Sequence, residues 1–226
     1  MDAFRLALSK GATGLETDVW LTADGVAVLS HDGRIRGRLP WRRRPLSSLD
    51  RAKIPPEIAT LADLYRLAGE GVDVFVDVKD PDAVEEIVRI AGAAGSTATR
   101  RLWLAHGGYD YSDWRTVASW RHFDPDVHLV DSTTIKRFDL SPKDYAVRAT
   151  KAGIEVLNLP AKEWTAGLVE TFQSTGLRCF AFRANKSRTI ERLASLGIDG
   201  IHSDHVDRLV SGLGLQPPEF VERPDL

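Results

Sequence analysis

The stretch GLETDVWLTADGVAVLSHDGR, residues 14–34, sets the architecture of this chain. Leu15 to Leu21 alternate between apolar and polar, the period of a β-strand. Side chains two apart on a strand share a face, so Glu16, Asp18 and Trp20 point one way and Leu15, Thr17, Val19 and Leu21 the other. Neighbouring carboxylates repel each other, and burying them uncompensated is costly. A hard divalent cation with oxygen ligands relieves that repulsion. After the Asp24-Gly25 turn, Val26 to Ser30 delivers His31 and Asp32 back to the same end. Two carboxylates and a histidine so placed are ingredients of metal-assisted hydrolysis. Taken alone, an E-x-D pair is more often a solvated face, and the spacing leaves both readings open.

Working outward, VDVFVDVK at residues 72–79 is the second clear strand. Asp73, Phe75, Asp77 and Lys79 share one face, and four valines the other. That division predicts a barrel strand with helices outside and a polar mouth. Strands then begin near Leu102, Val127, Ile154, Arg178 and Ile198, separated by helices such as Asp82–Ala94, Tyr111–Arg121, Pro142–Ala152 and Ser187–Leu196. This alternation defines a parallel α/β architecture. Helices at Asp2–Lys10, with Phe4, Leu6, Ala7 and Leu8 as its apolar stripe, and at Leu61–Ala68, capped by Thr60 with Asp63 in its first turn, complete the pattern. Seven parallel strands result if Val26–Ser30 is an excursion rather than a stave. A (β/α)8 TIM barrel has eight, and seven would leave two unpaired edges. The expected fold is therefore a (β/α)8 barrel missing its first strand, one domain over residues 1–214 with an irregular tail at 215–226.

Composition narrows the function. The chain has 226 residues, 43% of them apolar, and a formal net charge of -2. Interspersed charges give no footprint for nucleic acid. The basic run Arg34–Arg44 holds six arginines and reads as a solvated loop, with an anionic substrate or membrane surface as the alternative. The single Cys179 reads as a buried thiol, which excludes an internal disulfide framework and suits a cytoplasmic setting. No apolar run approaches a membrane span, and the pattern of a signal peptide is not expected within these 226 residues, although one could lie upstream.

The string Glu16-x-Asp18 followed by His31-Asp32 resembles the signature of the glycerophosphodiester phosphodiesterase family. Further matches are Ile58-Ala59-Thr60-Leu61, Asp77-Val78-Lys79 where the family has Glu-x-Lys, Phe182-Arg183-Ala184-Asn185, and Gly197 to Asp204. The resemblance implies a metal-dependent phosphodiesterase, bacterial in kind, that acts on a small-molecule phosphodiester in lipid and glycerol metabolism. Its products would be glycerol 3-phosphate and an alcohol. Glu16, Asp18 and Asp77 would hold one Ca²⁺ or Mg²⁺, His31 would be the general acid or base, and Lys79 would face the phosphate. Trp20, Phe182 and Arg183 are the implied substrate contacts; Trp20 and Phe182 read equally as core plugs. His106 and His202 lie at strand ends without a family role. Family members begin with a strand ending His-Arg-Gly, which carries another catalytic histidine and has no counterpart here. The resemblance thus leads us to expect that Met1 is an internal methionine. An inactive barrel that binds a phosphorylated ligand or partner is the alternative, and a second subunit could cover an open barrel edge.

Overall fold

A computed structural model describes residues 1–36, 43–106 and 114–215. Its frame is the strand–helix alternation. The strands are β1 Gly14–Leu21, β2 Ala27–Leu29, β3 Arg34–Arg36, β4 Arg43–Pro45, β5 Asp73–Val78, β6 Leu102–Ala105, β7 His128–Ser132, β8 Val156–Pro160, β9 Arg178–Phe182 and β10 Gly200–Ile201. The helices are α1 Asp2–Ser9, α2 Leu61–Ala68, α3 Val84–Ala94, α4 Ser96–Thr99, α5 Trp114–Ser119, α6 Pro142–Lys151, α7 Ala166–Gln173, α8 Ser187–Ser195 and α9 Val206–Gly212. The expected residues Tyr111–Asp113 of the fifth helix lie outside the described residues, as does the tail from residue 216 onward.

One sheet runs in the order β10-β9-β8-β7-β6-β5-β1-β2. From β1 to β10 every neighbouring pair is parallel, and β2 alone is antiparallel, opposite Val19–Leu21. The seven staves and the β2 excursion therefore match the sequence reading. The edge of Gly14–Thr17 turned away from β5 and the outer edge of β10 face no strand among the described residues. The seam between them is where an eighth stave would complete a closed barrel.

Strand alternation splits the core in two. Val74, Val76 and Val78 pack outward with Leu104, Leu129 and the helices, all fully buried. Phe75, Trp103, Ala105, Val130 and Val156, with Phe180, fill the inside. α2 starts where expected: Thr60 Oγ1 accepts from the Asp63 N–H, and Asp63 Oδ2 accepts from the Thr60 N–H at 2.8 Å, a capping box. In α1, Leu8 is buried while Phe4 and Ala7 pack on the core. Leu6, expected on that stripe, is 55% exposed. It sits about 200° around the helix from Leu8, on the solvent side. Residues 37–42 of the basic run lie outside the described residues, and its two ends form a strand pair rather than loop. Arg34–Arg36 pairs antiparallel with Arg43–Pro45, because Ile35 packs on a small cluster of Val28, Leu46, Leu49 and Ile54.

The N-terminal end of the barrel is a closed ionic network. Glu155 accepts from Arg121 at 2.7 Å and Arg178 at 3.1 Å and pairs with His128 Nδ1 at 2.6 Å. Arg178 also lies 4.4 Å over the Trp103 ring, whose indole N–H donates to Asp73 at 2.8 Å. Asp73 in turn accepts from Arg101 at 2.9 Å. Burial works against the Glu155 charge, but these partners win and hold its carboxyl at about 2. No helix among the described residues is long and apolar enough to cross a membrane.

Candidate active site

The C-terminal end of the same barrel gathers the residues singled out in the sequence. Parallel register sets Glu16 opposite Phe75 and Asp18 opposite Asp77. Inward-facing positions of adjacent strands thus bring three acids together. One carboxylate oxygen each from Glu16, Asp18 and Asp77 lies within 4.8 Å of the others. Lys79, one step past β5, bridges two of them, with Nζ 2.9 Å from Asp18 and 2.5 Å from Asp77. The pair holds the Lys79 ammonium above its ordinary value against the opposing effect of burial.

Three negative charges against one lysine leave the cluster short of positive charge. Crowding by protein, then repulsion from Asp18 and Asp77, pushes Glu16 up to about 7. Glu16 is nevertheless exposed, so water reaches it and screens part of this effect. Asp77 is also raised, chiefly by burial, despite Lys79. Its other oxygen, Oδ1, is buried with no hydrogen-bond partner. An orphaned carboxylate oxygen beside two further carboxylates is a donor set that fits a hard cation.

His31 stands on the exposed turn after β2, its Nδ1 3.0 Å from Asp32 Oδ1. That bond first, then the field of Asp18, raises its pKa. A cavity of about 220 Å³ joins Asp18 and His31 to Thr17, Ser30, Met1 and Phe4. Trp20 supports this turn from beneath and packs on the cluster around Val28 and Leu46. A Cβ on Gly33 would stand 2.3 Å from the Trp20 ring, and Gly33 has φ +61°, so only glycine fits there. Trp20 therefore packs away from Glu16 and Asp18, with which it shares β1. Phe182, partly buried, pairs with Pro160 in register, and the exposed Arg183 reaches 5.7 Å from the Phe182 ring. Both stand on the β9 side of the mouth.

The two strand-end histidines differ. His106 turns to the helix layer, Nδ1 2.9 Å from the Val78 carbonyl and its ring edge-on to Trp120. His202 turns inward against Phe75, with ring centroids 4.6 Å apart, and burial lowers it to about 4, which keeps it neutral. Asp204, after β10, adds like charge to Glu16. Asn158, on the inner face of β8, donates to Ser132 Oγ at 3.1 Å and leaves a buried Oδ1 unpartnered. An asparagine at an inward strand position was the available sequence signal for it.

The fold and this mouth define a class: a (β/α)8-type barrel with a carboxylate cluster at the C-terminal end of its strands, where barrel active sites are built. The chain belongs to the glycerophosphoryl diester phosphodiesterase family, whose model matches residues 1–208. It is 26% identical to Probable glycerophosphodiester phosphodiesterase 2 of Mycobacterium tuberculosis, over 92% of this chain and 82% of that one. It is 24% identical to a glycerophosphodiester phosphodiesterase of Caldanaerobacter subterraneus, over 92% and 89% of the two chains. The glycerophosphodiester phosphodiesterase of Thermotoga maritima has the same fold, with a TM-score of 0.76 at 20% identity over 93% of this chain and 89% of that one. So does a phosphodiesterase of Oleispira antarctica solved with its product sn-glycerol-3-phosphate, with a TM-score of 0.70 at 17% identity over 93% and 89%.

Proposed function

We propose that this protein hydrolyses glycerophosphodiesters to glycerol 3-phosphate and an alcohol with the help of one Ca²⁺ or Mg²⁺. The observation that carries the reading is the Glu16–Asp18–Asp77 cluster, with the orphaned Asp77 oxygen inside it. These three residues would hold the ion; when bound, it draws charge from the phosphate and offsets what develops during displacement. Lys79, fixed by Asp18 and Asp77, presents its ammonium to the same phosphate. The raised pKa of His31 keeps more of it protonated near neutral pH. With Nδ1 directed at Asp32, Nε2 carries the proton given to the departing alcohol oxygen as the P–O bond breaks. Water supplies the oxygen gained by phosphorus, and the proton that water gives up passes through solvent to restore His31. Phe182 and Arg183 line the side of the mouth where the alcohol lies. The setting we propose is lipid and glycerol metabolism in the cytoplasm.

A second reading is a barrel that binds a phosphorylated ligand without turning it over. The Lys79 bridge favours it, because one ammonium already neutralises part of the acid pair without an ion. Release of glycerol 3-phosphate from glycerophosphocholine, measured with Ca²⁺, with Mg²⁺ and with EDTA, separates the two. Turnover with metal that stops in EDTA supports the hydrolase. A folded chain that binds the metal but releases nothing supports the binding barrel.

A further inference from the structure

The mouth carries a second charged feature, away from the acids. β7, β8 and β9 follow in the sheet beyond β6, and the segments after them enclose a groove of about 430 Å³. Its floor is the buried pair Pro160 and Ala161, and its charged wall is Lys136, Lys162, Glu163 and Arg183. The single acid is engaged elsewhere, since Glu163 Oε2 accepts from the Ile135 N–H at 2.8 Å. Among the described residues Lys136, Lys162 and Arg183 have no hydrogen-bond or ion-pair partner, and the Arg183 guanidinium lies 5.7 Å from the Phe182 ring. Some exposed helix cations do find partners: Arg5, Arg66 and Arg89 each pair with an acid three residues away.

Backbone geometry singles out Arg183 as well. It is the only non-glycine residue with positive φ among the described residues, at +61°. Side chains with a Cβ rarely adopt that region, and glycine would occupy it freely. An arginine kept there despite the strain calls for a use of its side chain. The next residue anchors the turn, with the Ala184 N–H donating to the His202 carbonyl at 3.1 Å.

We propose that this groove is a leaving-group subsite that selects glycerophosphodiesters whose alcohol carries a second phosphate. The inference rests on the phosphodiesterase reading above. One phosphate of such a substrate lies at the acid cluster, and the other meets the Lys136, Lys162 and Arg183 cations. Two ammonium groups and a planar guanidinium match a dianionic phosphate. A cationic alcohol such as choline meets three like charges there against the single Glu163 carboxylate.

The test compares the intact chain with the double variant Lys162→Ala/Arg183→Gly. Glycine suits the positive φ, so this change removes the guanidinium without adding strain. The readout is the ratio of kcat/KM for glycerophosphoinositol 4-phosphate to that for glycerophosphocholine. We expect the ratio to fall about tenfold in the variant, the size expected for two half-screened charge pairs. A ratio that stays within about twofold overturns the subsite and leaves the phosphodiesterase reading standing. No release from either substrate by the intact chain defeats the underlying reading instead. In that event, calorimetric titration with inorganic pyrophosphate in EDTA still judges the groove. Binding that weakens at least about fivefold in the variant supports it, and equal or absent binding overturns it.

Discussion

Glu155 and Glu16 are the same residue type at opposite ends of one barrel, and the barrel treats them oppositely. At the N-terminal end, Arg121, Arg178 and His128 surround Glu155 and hold it at about 2. At the C-terminal end, Asp18 and Asp77 crowd Glu16 and push it up to about 7, while the one nearby cation bonds to the other two acids. The first arrangement is complete and serves the fold. The second is incomplete and gains from anything that brings positive charge. Conserving charge at one end and leaving it unsatisfied at the other is how a barrel divides stability from function.

The largest effect that would sharpen this contrast is on turnover. Asp77→Asn keeps the shape but removes the negative charge of the orphaned group, and Glu16→Gln removes the acid with the raised pKa. Each should lower metal-dependent glycerol 3-phosphate release by about 100-fold or more, with circular dichroism unchanged. His31→Ala should cost about 100-fold in the same assay, because a positioned general acid contributes that order. Its side chain is 71% exposed, so the melting temperature should hold.

At the other end the effect should fall on stability. Glu155→Gln leaves Arg121, Arg178 and His128 without their shared anion and should cost about 2–3 kcal/mol in urea unfolding. The pH signs of the two acids are opposed. Glu155 is depressed, so its contribution is complete above its ordinary 4.5 and is lost as pH falls through that value toward about 2. Glu16 is raised, so the folded state loses stability as pH climbs from 4.5 through about 7 in the absence of metal. Glu16→Gln should therefore stabilise the metal-free protein at pH 8, by about 1 kcal/mol once screening by the water around it is allowed for. Unfolding that responds identically to pH in both variants would break the comparison. The smallest effect expected is at Arg183→Gly, where relief of the positive φ should raise stability by about 0.5 kcal/mol, net of the freedom glycine adds to the unfolded chain.

Much of this was legible in the sequence because strand alternation acts through nearest neighbours. Glu16, Asp18 and Asp77 needed only the period of two and a parallel register to meet, and both follow from the local pattern. The valine face of β5 likewise declared the helix side. What the sequence hid depends on distant partners. Trp20 has the right parity for the acid face, but beyond Val19 β1 pairs only with β2, and Trp20 packs under Gly33. The network around Glu155 joins residues from β5 to β9, and no local pattern announces it. The groove at Lys136, Lys162 and Arg183 is built from three separate loops, and only the fold brings them side by side.

The measurement that tests the central claim most directly is calorimetric titration of Ca²⁺ or Mg²⁺ into the EDTA-stripped protein at pH 7, in two buffers of different ionisation heat. The account predicts one site, lost in Asp77→Asn, with release of about half a proton as the ion displaces it from Glu16, whose carboxyl sits at about 7. Absence of binding, or binding that survives Asp77→Asn and releases no proton, would contradict it.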